Sequence, residues 1–366
     1  MNSSNENKEE KQEDLAKRHS EHYINQINVS QKASMKNRII VGALLVLLVV
    51  PCVMLGNYVF AALIVLASLI SCHEIIKAPQ SIENKFSNIL YVFSYFMMLS
   101  LIFWIIFKNN MVAYDANPEK FTLDLTTYFS GPRISLACFF ICATVFIVTV
   151  FFDKNFKISD AFYFICMLLI VSVGFQSLLF LRFAPFTYSN LIPGNNVPLT
   201  YESATNTFKF LQSTGLIFYM LIGTCLNDVG AYFIGVLFGK HKMSPRISPK
   251  KTWEGFVGGY VTSMVFSLAF AFVTDACGLP IMEGVLDTER WYNLLILSFL
   301  MPVFAVVGDL FFSSIKRNYQ IKDFGTALRS HGGVLDRIDS ILIVSIMMAL
   351  FIELMANGWN IMSATL

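Results

Sequence analysis

Between Ser313 and Asp339 the sequence runs SSIKRNYQIKDFGTALRSHGGVLDRID, and Asp309 stands just upstream. Asp309, Ser313 and Lys316 fall at i, i+4 and i+7, so a carboxylate, a hydroxyl and an ammonium share one face of a helix. Ser314 and Arg317 lie beside them. His331-Gly332-Gly333 follows. Glycine accepts positive φ and turns the chain sharply, and successive N–H groups there can face an anion. Asp336 and Asp339 are three apart and share one side of the next element, with Arg337 between them. Two antiparallel helices would bring Asp309 towards Asp336. Paired carboxylates with hydroxyl and water oxygens suit a hard divalent cation such as Mg²⁺. Lys316, Arg317, Lys322 and Arg337 surround that position with positive charge. A cation among several bases is what polyphosphate chemistry requires. The rival account is a salt-bridged interfacial loop with snorkelling bases.

A second group lies upstream. Asn227-Asp228 sits inside the apolar run LIGTCLNDVGAYFIGVLFGK, where a polar pair is costly unless it meets partners. It reads as a metal-binding or base-binding pair, or as glue between helices. The loop that follows contains Ser248-Pro249-Lys250-Lys251-Thr252-Trp253-Glu254-Gly255. Ser-Pro and Thr-x-Glu are helix-start signals, which predict Lys250 and Lys251 in a first turn. Two lysines there oppose the helix dipole, and an anionic ligand would remove the conflict. Lys322-Asp323-Phe324-Gly325 contains a DFG triplet, but no glycine-rich loop or HRD segment accompanies it, so a protein kinase is discounted. No P-loop or dinucleotide fingerprint is present. His73 and Glu74 read as interface residues rather than ligands.

The elements that must hold these groups are membrane helices. Of the 366 residues, 55% are hydrophobic and only 14% charged, against about 25% charged in soluble domains. Mean hydropathy is +0.59. The composition predicts an all-α polytopic integral membrane protein. Apolar segments at 39–56, 58–76, 86–107, 134–152, 159–181, 213–238, 254–274, 293–315 and 340–357 make nine expected spans. Residues 1–36 form a polar tail expected to be disordered. Residues 37–210 hold N-terminal transmembrane helices, and 211–366 a C-terminal transmembrane catalytic region. The N-terminus shows no secretory signal. The seven cysteines form no metal-binding grid. A net charge of +2 gives no reason to expect a nucleic-acid partner.

Loop charge sets orientation. Lys32, Lys36 and Arg38 precede the first span, and the loop GKHKMSPRISPKKTW carries five bases and no acid. The loop at 275–292 holds Asp275, Glu283, Asp287 and Glu289 against Arg290 alone. Nine spans with a cytosolic N-terminus place all the basic loops on the cytosolic face.

The pattern Ser313-x-x-Lys316-Arg317, Lys322-Asp323, His331-Gly332-Gly333, Asp336-Arg337-x-Asp339 resembles the signature of the phosphatidate cytidylyltransferase (CDP-diacylglycerol synthase) family. Asn227-Asp228 through Gly255 resembles that family's second shared region, while the N-terminal half matches only as a set of spans. The resemblance implies conversion of phosphatidate and CTP into CDP-diacylglycerol and pyrophosphate in phospholipid biosynthesis, with Mg²⁺, by a membrane-embedded homodimer. It implies that Asp309 and Asp336 bind the metal, that Ser313, Lys316 and Arg317 join them in catalysis, and that the Lys250-Lys251 loop and the Lys316-Arg317 pair hold phosphates. Asn227, Asp228, Ser248, Lys322, Asp323, His331, Gly332, Gly333, Arg337 and Asp339 would complete the substrate contacts. The family usually has Pro-Gly before His-Gly-Gly. Here Arg329-Ser330 stands there, so a cation and a hydroxyl replace a rigid turn. Other readings are a CTP-dependent lipid kinase, an inactive paralogue, or a secondary transporter using Asp228 and Asp309. Against the transporter, no inverted repeat is visible and the charges cluster at one side.

Overall fold

The computed structural model describes residues 40–80, 86–108, 133–188, 207–282, 284–328 and 332–356. The tail at 1–36 lies outside these, as do Arg329, Ser330 and His331. In chain order the described elements are α1 (Ile40–Leu55), α2 (Asn57–Gln80), α3 (Asn88–Lys108), α4 (Arg133–Phe152), α5 (Ile158–Tyr188) and α6 (Thr207–Phe238). There follow β1 (Lys242–Ser244), β2 (Ser248–Thr252), α7 (Trp253–Ala276), α8 (Trp291–Asn318) and α9 (Leu335–Ala356). Each predicted span coincides with a helix. Among the described residues, six helices are long and apolar enough to cross a membrane: α2, α5, α6, α7, α8 and α9. The chain is an all-α membrane protein, with one short two-stranded hairpin among the described residues.

Two modes of packing build it. In the N-terminal part, bulk fills the space. Phe86, Phe146, Phe156 and Phe164 are buried and meet ring to ring, with Phe86–Phe156 centroids 5.3 Å apart and Phe146–Phe164 5.7 Å apart. These contacts bind the start of α3 to α4 and α5. The single non-helical residue between α1 and α2 is Gly56, at φ +65°, and the Arg182 guanidinium occupies the space a Cβ would need there. Arg182 Nε donates to the Val53 carbonyl at 2.9 Å.

In the C-terminal part, small residues let backbones touch. Gly255, Gly259, Ser263, Ser267 and Ala271 recur every fourth residue and form the buried face of α7. Gly255, Gly259 and Ser263 lie against α6, where Ser263 Oγ donates to the Gly223 carbonyl at 2.7 Å, while Ser267 Oγ donates to Ser298 Oγ of α8 at 3.0 Å. Central α9 packs on α8, α5 and α6. A Cβ on Gly308 of α8 would lie 3.0 Å from Ile343 Cβ and 3.2 Å from the Asp339 carbonyl. That close approach sets Asp309 beside the first turns of α9.

The loop after α6 departs from the helix-start reading. Ser248-Pro249-Lys250-Lys251 is not a helical first turn; it forms strand β2, antiparallel to β1, with Lys242 opposite Thr252 and Ser244 opposite Ser248. Helix α7 starts only at Trp253. Thr252 is its N-cap, and its hydroxyl accepts from the Gly255 N–H at 3.1 Å. Proline removes a ladder donor but is tolerated on a two-stranded ribbon with solvent on one side. The supposed conflict between two lysines and the α7 dipole therefore does not arise.

Candidate active site

The ends of α6, α7, α8 and α9 that meet the hairpin carry most of the groups singled out in the sequence. Lys251 leaves β2 and reaches Asp309 Oδ2 at 2.7 Å, and both side chains are partly exposed. Ser313 Oγ donates to Asp309 Oδ1 at 3.2 Å, as the one-face spacing predicts. Lys316, one turn further, does not pair with Asp309. Its ammonium turns to α9, 2.8 Å from Asp336 Oδ1 and 3.9 Å from Asp339 Oδ2, with all three side chains largely buried. It also stands 5.4 Å from the centre of the Phe324 ring. Arg317 bridges the hairpin and the signature loop: Nε donates to the Ile247 carbonyl and Nη1 to the Ile321 carbonyl, each at 3.2 Å.

Asp336 organises the loop before α9. Its Oδ2 accepts from the Phe324 N–H at 2.8 Å and the Gly333 N–H at 2.9 Å. Gly332 adopts φ +80°, a left-handed conformation that favours glycine, and packs against Asp323. Lys322, Asp323 and Arg337 are exposed at the rim. Asp339 Oδ1 accepts from the Ser340 N–H at 2.7 Å. On α6, Asn227 is buried and its backbone and amide oxygen press on Gly259 of α7. Its Nδ2 lies 3.4 Å from Asp228 Oδ1. Asp228 is exposed, and it interacts electrostatically with both Asp309 and Lys251. Asp309 likewise interacts with Asp339. Asp228, Asp309 and Asp339 thus form a chain of carboxylates from three helices, flanked by Lys251 and Lys316. Ser248 lies in β2, and exposed Lys250 precedes Lys251 on the same strand.

One participant escaped the sequence reading. Glu74, taken as an interface residue on α2, accepts from the Val334 N–H at 2.9 Å and the Leu335 N–H at 2.8 Å. Its partners are some 260 residues away, so no local spacing announces them. Its neighbour His73 turns to α3, with Nδ1 3.3 Å from Tyr95 Oη.

Among the described residues no group of three His, Cys, Asp or Glu side chains is arranged to hold a metal by itself. Mg²⁺ needs only one or two carboxylates and completes its shell with water and substrate phosphates. A carboxylate offers about four lone-pair sites. Asp309 has two of them engaged, and Asp336 three. Asp309 retains room for two further bonds and Asp336 for one.

The chain matches the model of the Cytidylyltransferase family over residues 36–355. It is 43% identical over 128 residues to the phosphatidate cytidylyltransferase of Bacillus subtilis (strain 168), a match covering 35% of this chain and 44% of that protein. It is 39% identical over 139 residues to that of Staphylococcus haemolyticus (37% and 49% of the two chains). It is 38% identical over 146 residues to that of Mycobacterium leprae (40% and 43%). The chain thus spans about half the length of the curated relatives it matches.

Proposed function

The chain belongs to the cytidylyltransferase family, and on that premise we propose that it transfers the cytidylyl group of CTP to phosphatidate, yielding CDP-diacylglycerol and pyrophosphate. The observation that carries this reading is the convergence of two lysine–carboxylate pairs, Lys251–Asp309 and Lys316–Asp336, at one end of the bundle. They bring the two separated stretches of sequence into one charged site. The relatives' names supply the substrates.

In this reading a phosphate oxygen of phosphatidate attacks the α-phosphorus of CTP in line. The bond from that phosphorus to the bridging oxygen breaks, and pyrophosphate leaves. Asp309 and Asp336 would hold Mg²⁺, which would neutralise phosphate charge when bound. Lys251 and exposed Lys250 receive the triphosphate at the hairpin. Lys316 holds Asp336 in place through its 2.8 Å ion pair. Arg317 has donors left beyond its two carbonyl bonds, and with Lys322 and Arg337 it meets charge developing on the leaving pyrophosphate. Asn227, Asp228, Ser248, Ser313, Asp323, Asp339 and the His331-Gly332-Gly333 turn shape the remainder. The site faces the cytosol in a chain that crosses the membrane nine times from a cytosolic N-terminus and works as a homodimer. The five bases of the loop between α6 and α7, at the same end as the signature, support that orientation.

Product analysis with CTP labelled at the α or the γ phosphorus tests the reading. Label from the α position is expected in the lipid, and label from the γ position in pyrophosphate. Transfer of γ label to the lipid, as a lipid kinase would give, overturns it.

A further inference from the structure

Glu74, on α2 of the N-terminal part, bonds the signature loop directly. It is 3% exposed. Its two oxygens take the Val334 and Leu335 N–H groups, which are orphan donors at the start of α9. The loop is also shaped around it. A Cβ on Gly325 would stand 2.5 Å from Glu74 Oε1, and a Cβ on Gly333 2.5 Å from both carboxylate oxygens. Neither glycine has a positive φ, so neither is required by backbone conformation. Each leaves its side-chain space to the Glu74 carboxylate, which a Cβ would have to displace. Asp336 takes the adjoining Gly333 N–H and the Phe324 N–H. Two carboxylates from opposite ends of the chain therefore fasten one short loop, and only Asp336 belongs to the signature.

We propose that Glu74 is a positioning residue for the reaction, a carboxylate cap from α2 that fixes the start of α9 and so sets Asp336 and Asp339 against Lys316. This rests on the reading of the site as a cytidylyltransferase centre. It makes the N-terminal helices part of the catalytic apparatus. Glutamate meets the geometry because both its oxygens accept. Glutamine has the same size but turns a donor towards one of the two N–H groups. Aspartate keeps the charge but is one methylene short.

The test uses the full chain in lipid nanodiscs, wild type against Glu74→Gln, with amide hydrogen exchange and steady-state kinetics in parallel. Exchange of peptides spanning 332–340 is expected to accelerate at least tenfold while those of α7 stay unchanged. Turnover should fall at least tenfold with KM for CTP within about threefold, because binding groups remain while the reacting geometry loosens. Gly325→Ala approaches the same contact from the loop side. It should reproduce both effects in the wild type and cost less than about twofold in turnover when combined with Glu74→Ala, since the two share one space. Should Glu74→Gln not be recovered folded, Gly325→Ala alone decides through exchange at 332–340. Unchanged exchange there, equal acceleration throughout the chain, or additive losses in the double variant would each overturn the proposal. If the wild type makes no CDP-diacylglycerol, the functional reading fails instead, and the exchange arm still decides whether Glu74 holds the loop.

Discussion

The two halves of this molecule solve opposite packing problems. Helices α2 to α5 are held by volume: buried phenylalanines fill the space between backbones, as at Phe86, Phe146, Phe156 and Phe164. Helices α6 to α9 also bury large side chains such as Tyr219, Met301 and Phe312, but at their crossings Gly255, Gly259 and Gly308 let backbones touch. The difference follows from what each half carries. The proposed site for polyphosphate needs several charged groups from different helices within a few ångströms of each other. Large side chains at the crossings would keep those groups apart. In lipid, where apolar contact alone gives little preference for one helix pairing over another, close backbone approach also supplies the packing that holds the pair. The same half therefore gains both its stability and its site from small residues.

If that contrast is right, the two halves should respond differently to substitution. The largest effect is expected at Lys316. Lys316→Ala leaves Asp336 and Asp339 facing each other without their shared cation in a buried place. Breaking such a pair costs about 3–5 kcal/mol. Turnover should fall by about 10²–10³-fold or more, the scale of removing one preorganised charge. Phe164→Ala in the other half should cost a comparable ~3–5 kcal/mol of stability. Its folded fraction should nevertheless turn over within about twofold of wild type, since its ring packs on Phe86, Phe146 and Phe156 and not on the loop that Glu74 fastens. Thermal inactivation midpoints and kcat, measured on both variants, decide the matter. Parallel losses of kcat in the two would erase the contrast.

A smaller effect probes the α6–α7 crossing. A Cβ on Gly259 would press on the Asn227 carbonyl, on Ala231 Cβ at 2.9 Å and on Asn227 Oδ1 at 3.0 Å. Gly259→Ala should therefore cost about 1–3 kcal/mol by overpacking. It should also lower kcat by about tenfold, because the displaced residue precedes Asp228 in the carboxylate chain. Gly278→Ala is the control at an exposed loop glycine with nothing within 4 Å. Its φ of +77° charges it for backbone strain, while the site should remain intact. A kcat loss shared by both would show that the crossing has no special link to the site.

Much of this was legible in the sequence, for identifiable reasons. The helices are, because lipid forces every long apolar run into one. The Asp309–Ser313 bond is, because a spacing of four places both on one helix face. The direction of Lys316 is not, since one turn allows a long side chain to reach back to Asp309 or across to Asp336, and only the α8–α9 crossing at Gly308 decides. The hairpin is not, because Ser-Pro and Thr-x-Glu are helix-start signals and a strand of five residues leaves almost no period to read. The small-residue face of α7 was present as Gly255 and Gly259 four apart, but the serines and alanine that extend it are too ordinary to stand out. Glu74 had no signal. Its partners are backbone N–H groups, which every residue but proline possesses.

The smallest effect concerns Lys251, and it tests whether the hairpin belongs to the site or only lies beside it. Its bond to Asp309 is partly exposed at both ends, so Lys251→Ala should change stability by only about 0.2–1 kcal/mol. The kinetic effect should be larger and double-signed. Lys251 occupies Asp309 Oδ2, an oxygen that the proposed cation also needs. Removing the ammonium should lower the Mg²⁺ concentration for half-maximal rate. The same ammonium, once released from Asp309, is placed to meet a phosphate of CTP, so KM for CTP should rise by about tenfold, in the range of a hydrogen bond to a charged group. Lys250 is the internal standard. Successive residues of a strand point to opposite faces, so Lys250→Ala cannot relieve Asp309 and should leave the Mg²⁺ requirement where it was. Mg²⁺ titrations at fixed CTP, and the reverse, on the two variants give the answer. Opposite shifts in Lys251→Ala alone would place the hairpin inside the site. Shifts of the same sign in both variants would reduce the hairpin to a general attractor of anions.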